Sequence, residues 1–599
     1  MPPNEELAGT TTTKQPRTGR KTRVKSGCAT CKSRRVKCDE GRPACERCLE
    51  SGRVCEGYGI WGGGGNAYGS DLRKFMSIVS HAYEPFTRQR LLVLRSRVSS
   101  DEGTSFDFFR NRTSVKLPGM FGSEFWETIV FQVSSVEPAV LHATIALASL
   151  QRSNEYQESV KGGGAISTLS SAPDAAVKWN RFALQQYNKA IAYLKPHFSA
   201  HNHRSIQVTL VTCMIFTCIE ILQGQYTTAH KLVQGGLGLV YSLKVLGATH
   251  NINAMLQMDS MDLSLVEAFS RLNIQSPLFS FPTSYFKDKN SEETHMHLPD
   301  IPSSFATLQE ARQSLDELFS AVIQLNRAVA ITNYGYLSLS PNLTISPGEQ
   351  AAQLLPALTT WLYSYNASLP IIEPKLTPRS SLGVPLLRIY YVMISIIFST
   401  CVDQFTGGNE MVYDTYTPEF ASIVTQTLAF SAHSDILRIK YGPSTQGIST
   451  PEGQKFTADL GIIAPLFYTA VKCRVPWLRR QAISCLLTAP HREAFWNGGL
   501  AAAAAQKIKD LEERGFYEAG VVGVSPSGEF PPPQGHSARA AATLPETHRF
   551  HEVQVLLEDK YQGAGRVVCR RKRMDSELGV WRQDGDWEVM EDWFNLLEK

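Results

Sequence analysis

Six of the twelve cysteines in this 599-residue chain stand close to the N-terminus, in the stretch CATCKSRRVKCDEGRPACERCLESGRVC, residues 28–55. Their spacing is an internal repeat, because Cys-x2-Cys-x6-Cys occurs twice with a six-residue connector between the copies. Each half offers three thiolates, whereas a tetrahedral structural zinc site takes four ligands. Two zinc ions are satisfied by six cysteines only if two thiolates bridge both metals. The count therefore favours one shared binuclear cluster.

Positive charge is concentrated in the same region. The first 60 residues carry 13 Lys and Arg against 7 Asp and Glu, whereas the rest of the chain carries 47 against 49. Between Lys14 and Lys37 there are ten basic residues and no acidic one. These cations can stabilise deprotonated thiolates on a metal. They also attract polyanions, so nucleic acid is the first partner to consider.

The two halves of the repeat differ in charge. KSRRVK, residues 32–37, holds four cations and no anion, whereas LESGRV, residues 49–54, holds one of each. We therefore expect the first half to face DNA. KSRRVK is predicted to form a short helix whose N-terminus points toward the major groove, where Lys or Arg can reach the O6 and N7 acceptors of guanine.

At every spacing this segment resembles the fungal binuclear zinc cluster transcription factors. The resemblance implies two structural zinc ions per chain, bridged by Cys28 and Cys45. The metal ligands that it implies are Cys28, Cys31, Cys38, Cys45, Cys48 and Cys55. The alternatives from the residues alone are a zinc ribbon that uses only the two CxxC pairs and a disulfide knot.

Residues that approach DNA are also implied by the resemblance. Arg34 and Arg35 take the positions that approach bases, where many relatives carry Lys, and CGG-type triplets are the expected target. Lys32 and Lys37 are predicted to contact phosphate. The basic arm before the cluster would add backbone contacts or serve nuclear import. Its residues include Arg17, Arg20, Lys21, Arg23 and Lys25.

Composition and hydrophobic periodicity predict a mainly α fold with a small N-terminal zinc cluster. The expected segments are a disordered basic arm at 1–25, the cluster at 26–58, a flexible linker at 59–104, an all-helical regulatory domain at 105–520, a loop at 521–545 and a C-terminal extension at 546–599. The linker is rich in glycine, and residues 72–98 lack the sustained heptads of a coiled coil. A homodimer is thus left open without a predicted contact surface.

Residues 105–520 show apolar positions at helical spacing. Two blocks, 108–152 and 456–498, resemble the regulatory body found downstream of many fungal zinc clusters. Apolar runs such as 389–400 stop near 12 residues, short of the ~18 that a membrane span needs, so we predict buried helices and no membrane partner.

The common catalytic signatures do not occur in this sequence. The chain contains no HExxH, GxSxG or Walker loop, and QGGLGLVYS, residues 234–242, lacks the last glycine of a dinucleotide fingerprint. We interpret that stretch as a helix junction, Cys213 and Cys218 as core residues, and His491 to Glu493 as a loop without catalytic geometry. No enzymatic activity is predicted.

Residues 552–573 predict a small C-terminal β-hairpin around Gly563 and Gly565. The basic run Arg570 to Arg573 is either a strand edge or a second import signal, with the strand favoured. Residues 575–599 carry eight acidic and two basic residues together with three tryptophans. That composition fits both an activation segment that folds on a partner and a packed terminal extension.

These features predict a nuclear, sequence-specific DNA-binding transcription factor that regulates RNA polymerase II genes. Its partners would be double-stranded DNA and the transcription machinery or co-regulators. The alternative is a metabolic or ligand-binding helical protein in which the zinc cluster only docks another protein.

Overall fold

The computed structural model describes residues 31, 34–39, 47, 51, 99–161, 172–200, 202–250, 260–278, 298–333, 346–405, 409–441, 455–489, 491–517, 543–557, 564–573 and 587–596. The chain divides into two compact units, Met1–Glu84 and Pro85–Lys599. Helices dominate the second unit and strands are few and short, so the predicted mainly α fold is confirmed.

The helices of the second unit begin at residue 100. In chain order they are α1 Ser100–Phe108, α2 Ser114–Lys116, α3 Val130–Ser134, α4 Pro138–Lys161, α5 Ala172–Ala200, α6 His203–Gln223, α7 Tyr226–His250, α8 Ser260–Leu278, α9 Leu308–Asn333, α10 Pro347–Ile372, α11 Gly383–Phe405, α12 Thr417–Tyr441, α13 Ile463–Lys472, α14 Pro476–Thr488 and α15 Gly498–Glu513. Single π-helical turns, Phe109–Thr113 and Phe125–Ile129, precede α2 and α3.

Helix α6 lies at the centre of its neighbours. It packs against α4, α5 and α7, and most of its side chains are buried. In the described part of the chain, α6 and the stretch Ser380–Asp403 are long and apolar enough to cross a membrane, which the short apolar runs did not predict. Their most apolar windows are, however, 89% and 61% buried inside the protein, and a core helix passes the same length and composition test.

The glycine-rich stretch QGGLGLVYS is not a helix junction, because α7 continues through it from Tyr226 to His250. A Cβ atom on Gly236 would lie 2.1 Å from Cε1 of the buried Phe269 on α8. Gly236 therefore serves close packing between two helices. The sequence contains the glycine, but its packing role becomes visible only from the close approach of α8.

Two short sheets complete the second unit. Strands β1 Lys455–Thr457 and β2 His491–Glu493 pair in parallel, and β2 pairs antiparallel with β3 Trp496–Asn497. The C-terminal sheet is antiparallel throughout, in the order β4 Glu552–Leu556, β5 Ala564–Lys572 and β6 Trp587–Asn595. The predicted C-terminal hairpin is thus present as β4 and β5, and β6 extends it.

Strand β2 ties two helix ends together, although we predicted a loop there. Arg492 donates from Nη2 to the Ile221 carbonyl at 2.8 Å, at the C-terminal end of α6. The buried Glu493 carboxylate accepts from the backbone N–H groups of residues 461–463 at 2.8–3.1 Å, at the N-terminus of α13. Since each side chain neutralises the helix-dipole end that it contacts, the pair is structural.

The acidic C-terminal segment was predicted to be either an activation segment or a packed terminal extension, and for residues 587–596 the structure shows the packed extension. Strand β6 pairs with β5 along its length, and Asp592 forms a 2.9 Å ion pair with Lys507 of α15. The basic run at 570–572 lies in β5, where Arg570 pairs with Glu552 at 3.2 Å and Arg571 with Glu588 at 2.9 Å. Both features therefore belong to the sheet, and the basic run lies on its central strand, β5, so the predicted strand edge is wrong.

Candidate nucleic-acid interface

The residues predicted to bind metal and DNA lie in the first unit. The structure describes Cys31, Cys38, Arg34, Arg35 and Lys37 from that set. The remaining predicted residues lie outside the described part: Cys28, Cys45, Cys48, Cys55, Lys32, Arg23 and Lys25. Asp39, Arg47 and Ser51 of the same unit are described and were not among our predictions.

A tight helical end follows the second cysteine. Cys31 is helical, and the Val36 N–H donates to the Cys31 carbonyl at 3.0 Å. Arg35 between them has φ +57°, the left-handed conformation. A six-residue closure around a left-handed residue is the Schellman ending of a helix. The helix predicted for KSRRVK is therefore wrong at its C-terminal end, because Arg34 and Arg35 form a turn and Val36 to Asp39 have no regular secondary structure.

The two described thiols of this unit are buried, whereas the aliphatic residue between them is not. Cys31 is 0% and Cys38 is 4% exposed, but Val36 is 40% exposed. A hydrophobic core would place valine inside, so apolar packing does not account for this arrangement. Buried sulfur beside exposed Arg35 and Lys37 fits the donor set of a thiolate-bound zinc.

Hydrogen bonds connect the two halves of the cysteine repeat. Arg34 donates from Nη1 to Ser51 Oγ at 2.8 Å, and Ser51 Oγ donates to the Arg47 carbonyl at 2.8 Å. The Arg47 N–H donates to Asp39 Oδ1 at 3.1 Å. One hydrogen bond, from Arg34 to Ser51, thus joins the two halves, and a second one joins Asp39 at the start of the connector to Arg47 of the second half.

Arg34 and Ser51 are equivalent positions of the repeat, since each is the third residue after the second cysteine of its half. A contact between equivalent positions is what an approximate two-fold arrangement of the halves produces. The repeat itself could have identified Ser51, had the two halves been superimposed by their cysteines. Asp39 carried no such signal.

The described part of the second unit offers no comparable thiol chemistry. Within the described residues no group of three or more His, Cys, Asp or Glu could hold a metal ion. Cys218 is fully buried, and the Cys213 thiol donates to the Leu232 carbonyl at 3.2 Å. Burial raises the pKa of the Cys213 thiol to about 12, so it remains protonated. The interpretation of both as core residues agrees with this.

Comparison with family models assigns both units. The model of the fungal Zn(2)-Cys(6) binuclear cluster domain matches residues 26–60. The model of the fungal specific transcription factor domain matches residues 106–433, which is more than half of the chain. No solved structure matches this chain.

Several known proteins are similar to this chain. The aspercryptin biosynthesis cluster-specific transcription regulator atnN of Emericella nidulans is 22% identical over 577 residues, covering 82% of this chain and 88% of the relative. Transcription regulator lscL of Purpureocillium lilacinum is 24% identical over 381 residues, covering 61% and 84%. Transcriptional regulatory protein moc3 of Schizosaccharomyces pombe is 55% identical over 38 residues, covering 6% and 8%. These relatives are regulators rather than enzymes, and with the two family matches they show that the chain belongs to the fungal transcription regulators that carry a zinc-binding, DNA-binding cluster domain and the fungal-specific transcription factor domain.

Proposed function

We propose that this protein is a sequence-specific DNA-binding transcription factor that regulates RNA polymerase II genes in the nucleus and reads CGG-type triplets in the major groove. The observation that carries the proposal is the tight turn at Arg35. It presents the exposed side chains of Arg35 and Lys37 between two buried thiols.

Zinc in this proposal supplies a fixed scaffold. Two zinc ions are held by six cysteine ligands, of which Cys28 and Cys45 bind both ions. The six ligands are Cys28, Cys31, Cys38, Cys45, Cys48 and Cys55. A segment of about 30 residues buries too little apolar surface to fold by itself, so metal binding provides the folding free energy. The burial of Cys31 and Cys38 beside an exposed valine supports this role.

The described cations have different surroundings, which suggests a division of labour. Arg35 is exposed and is our choice for a bidentate contact with guanine. Lys37 is exposed directly before the buried Cys38, and we assign it to phosphate together with Lys32 and the arm residues Arg23 and Lys25. Arg34 uses one of its five N–H donors in the hydrogen bond to Ser51. It can therefore orient the two halves of the repeat and still donate hydrogen bonds to DNA.

The helical unit is proposed to contact the transcription machinery or co-regulators. Its family model is that of a transcription factor domain, and the relative that matches 82% of this chain is a transcription regulator, which supports a binding role. The proposal therefore treats the whole protein as a binding protein, not an enzyme.

The experiment is a site selection from random duplex DNA with the full-length protein at a stated salt concentration, followed by affinity measurements on the selected site. Arg35→Ala should weaken binding by about 1–3 kcal/mol and relax the preference at one base pair, because a base contact is lost. Arg53→Ala, in the charge-balanced half of the repeat, is the matched control and should leave the preference intact.

If Arg35→Ala weakens binding equally for all DNA sequences, Arg35 contacts phosphate instead of a base. The docking-module alternative makes a different prediction for deletion of residues 1–60. If nuclear association with DNA persists after that deletion, the protein is not the DNA-binding factor proposed here.

A further inference from the structure

A cleft opens at the start of the second unit, away from the cysteine repeat in sequence. Its volume is about 490 Å³, which is within the size range of small-molecule sites. One face of α1 and the π-helical turn forms one wall, and one face of α4 forms the other. The first wall contains Thr104, Asp107, Phe108, Asn111 and Arg112, and the second contains Arg152, Glu155 and Tyr156.

The first wall includes an unusual backbone feature. Asn111 and Arg112 lie in the π-helical turn Phe109–Thr113, which interrupts the helix between α1 and α2. Such single turns are rare and occur frequently at functional sites, because the extra residue redirects side chains from the regular helical face. Here the turn places a neutral amide and a guanidinium at the rim of the cleft.

The second wall holds a cation without an ion-pair partner among the described residues. The Arg152 guanidinium lies 4.0 Å from the ring centroid of Trp179 and 6.0 Å from that of Tyr156. Within the described chain, no carboxylate lies at salt-bridge distance from Arg152. The contact with the buried Trp179 is a cation–π interaction that holds the guanidinium in place. Within the described chain no side chain accepts a hydrogen bond from the Arg152 N–H groups, so these donors can bind an anion.

Neither of the two carboxylates in the cleft, Asp107 and Glu155, lies at salt-bridge distance from Arg152 in the described chain. Glu155 accepts from Arg112 at 3.0 Å through one oxygen and from Lys116 at 2.8 Å through the other. Two cations therefore already share this one carboxylate. Arg152 is left as the cation that can bind an external ligand in a cleft with aromatic walls.

We infer that this cleft binds a small organic anion, whose carboxylate is held by Arg152 and whose planar apolar body lies against Phe108 and Tyr156. At the exposed rim, the Asn111 amide can donate a hydrogen bond to a further polar group on such a ligand, whereas Thr104 Oγ1, which already donates to the Ser100 carbonyl at 2.8 Å, can only accept one. The site is separate from the DNA-binding function proposed above, and its occupancy can be measured on the free protein.

The inference is tested by isothermal titration of the full-length protein with 2-naphthoate, an aromatic carboxylate. The cationic 2-naphthylmethylammonium has a similar ring and serves as the probe of opposite charge. We expect one 2-naphthoate per chain, bound about tenfold or more tightly than the cation. Arg152→Met removes the charge but keeps an unbranched side chain, and it should weaken 2-naphthoate binding about tenfold or more.

Two further variants keep the result interpretable. Arg181→Met removes an exposed cation from α5 outside the cleft, and we expect it to bind 2-naphthoate like the wild type. Asn111→Trp fills the cleft from its exposed rim and leaves Arg152 unchanged, so it should block binding even if Arg152→Met fails to fold. Thermal unfolding of each variant reports whether the helical unit is intact.

The inference is overturned by any of three results. These are an absence of saturable 2-naphthoate binding up to about 1 mM, equal affinity for the cation, and equal affinity of folded Arg152→Met and Arg181→Met. None of these results bears on DNA binding, because that proposal depends on the first unit and is measured with duplex DNA.

Discussion

The two units of this protein bury opposite kinds of side chain. In the cysteine repeat, Cys31 and Cys38 are inside while Val36 is 40% exposed. In the helical unit the largest fully buried residues include Trp361, Phe125 and Phe269. The first arrangement fits a centre formed by a bound metal, whereas the second has a conventional apolar core.

Cysteine consequently has two meanings in one chain. In the helical unit burial raises the pKa of Cys213 and of Cys401 to about 12, so these thiols stay protonated and act as small apolar side chains. In the repeat the thiols stand among cations that favour the thiolate. Neighbouring charge and spacing, rather than the residue type, therefore distinguish a ligand from a core residue.

Arginine shows the same contrast. Arg35 is exposed, whereas Arg474 and Arg479 of the helical unit are buried against carboxylates. Arg474 Nη2 lies 2.9 Å from Glu512 and 3.0 Å from Glu410, and Arg479 Nη2 lies 2.7 Å from Glu512. The described part of the first unit exposes Arg35 and Lys37 to solvent, whereas the second unit neutralises these two buried arginines with its own carboxylates.

The largest expected effect is loss of zinc. Cys38→Ala should abolish folding of the repeat and DNA binding, because structural zinc contributes on the order of 10–16 kcal/mol to such a small domain. Zinc per chain by native mass spectrometry and DNA binding by fluorescence anisotropy measure the two consequences. Thermal unfolding of the helical unit should not change.

Cys218→Ala is the matched control, since Cys218 is also buried but lies in the apolar helix α6. It should keep its zinc and its DNA affinity. Retention of two zinc ions by Cys38→Ala would contradict the ligand assignment, and loss of zinc from Cys218→Ala would contradict the separation of the two thiol classes.

The next largest effect concerns the buried ion pairs. Arg479→Met should destabilise the helical unit by about 3–5 kcal/mol, because Glu512 then keeps fewer cations in a buried site. Arg480→Met is the control, since the Arg480 side chain is 24% exposed and its 3.0 Å pair with Glu513 should contribute about 1 kcal/mol or less. Chemical denaturation measures both, and equal effects would show that burial does not govern these pairs.

Acid should act through the same cluster. Burial alone would raise the pKa of Glu512, but the Arg474 and Arg479 guanidinium groups lower it from the ordinary 4.5 to about 2. Since the folded pKa lies below the unfolded one, this contribution is present above pH 4.5 and is lost as the pH falls toward 2. Over that interval Glu512→Gln should lose less stability than the wild type, and parallel pH profiles would contradict this.

A pair of glycines on α7 provides a smaller test of the apolar core. Gly236→Ala should destabilise by about 1–3 kcal/mol, because the added Cβ meets Phe269 at 2.1 Å. Gly238→Ala meets nothing within 4 Å and should stabilise the helix by about 0.5–1 kcal/mol. Thermal unfolding separates them, and effects of the same sign would show that α8 can move away from α7.

The sequence predicts more of the first unit's chemistry than of its geometry. Cysteine spacing is local, so the implied ligand set and the charge difference between the halves can be read directly from residues 28–55. The Arg34 to Ser51 contact and the left-handed Arg35 depend on how the halves fold together. Local helix preference could not reveal that Arg34 and Arg35 form a turn.

In the helical unit the periodicity of apolar residues predicts the helices but not their contacts. Gly236 suggested a break, and the close approach of Phe269 shows that it permits packing inside a continuous helix. The polar residues Arg492 and Glu493 resembled an unstructured loop, yet they bind helix ends more than 200 and about 30 residues away in sequence. Contacts at such separations are set by tertiary structure, which a local pattern does not contain.

The smallest effect that we predict returns to the turn in the first unit. Arg35 adopts φ +57°, which costs a residue with a Cβ about 1 kcal/mol and glycine almost nothing. The chelator concentration that removes zinc should therefore be about fivefold higher for Arg35→Gly than for Arg35→Ala. Both variants lose the same contact with DNA. Chelator titration of the full-length variants measures the first quantity, and anisotropy on the selected site measures the second. Equal zinc retention by the two variants would mean that the left-handed turn is not formed in the metal-bound protein. Stronger DNA binding by Arg35→Gly than by Arg35→Ala would show that the turn, as well as the guanidinium, positions this half of the repeat on the duplex.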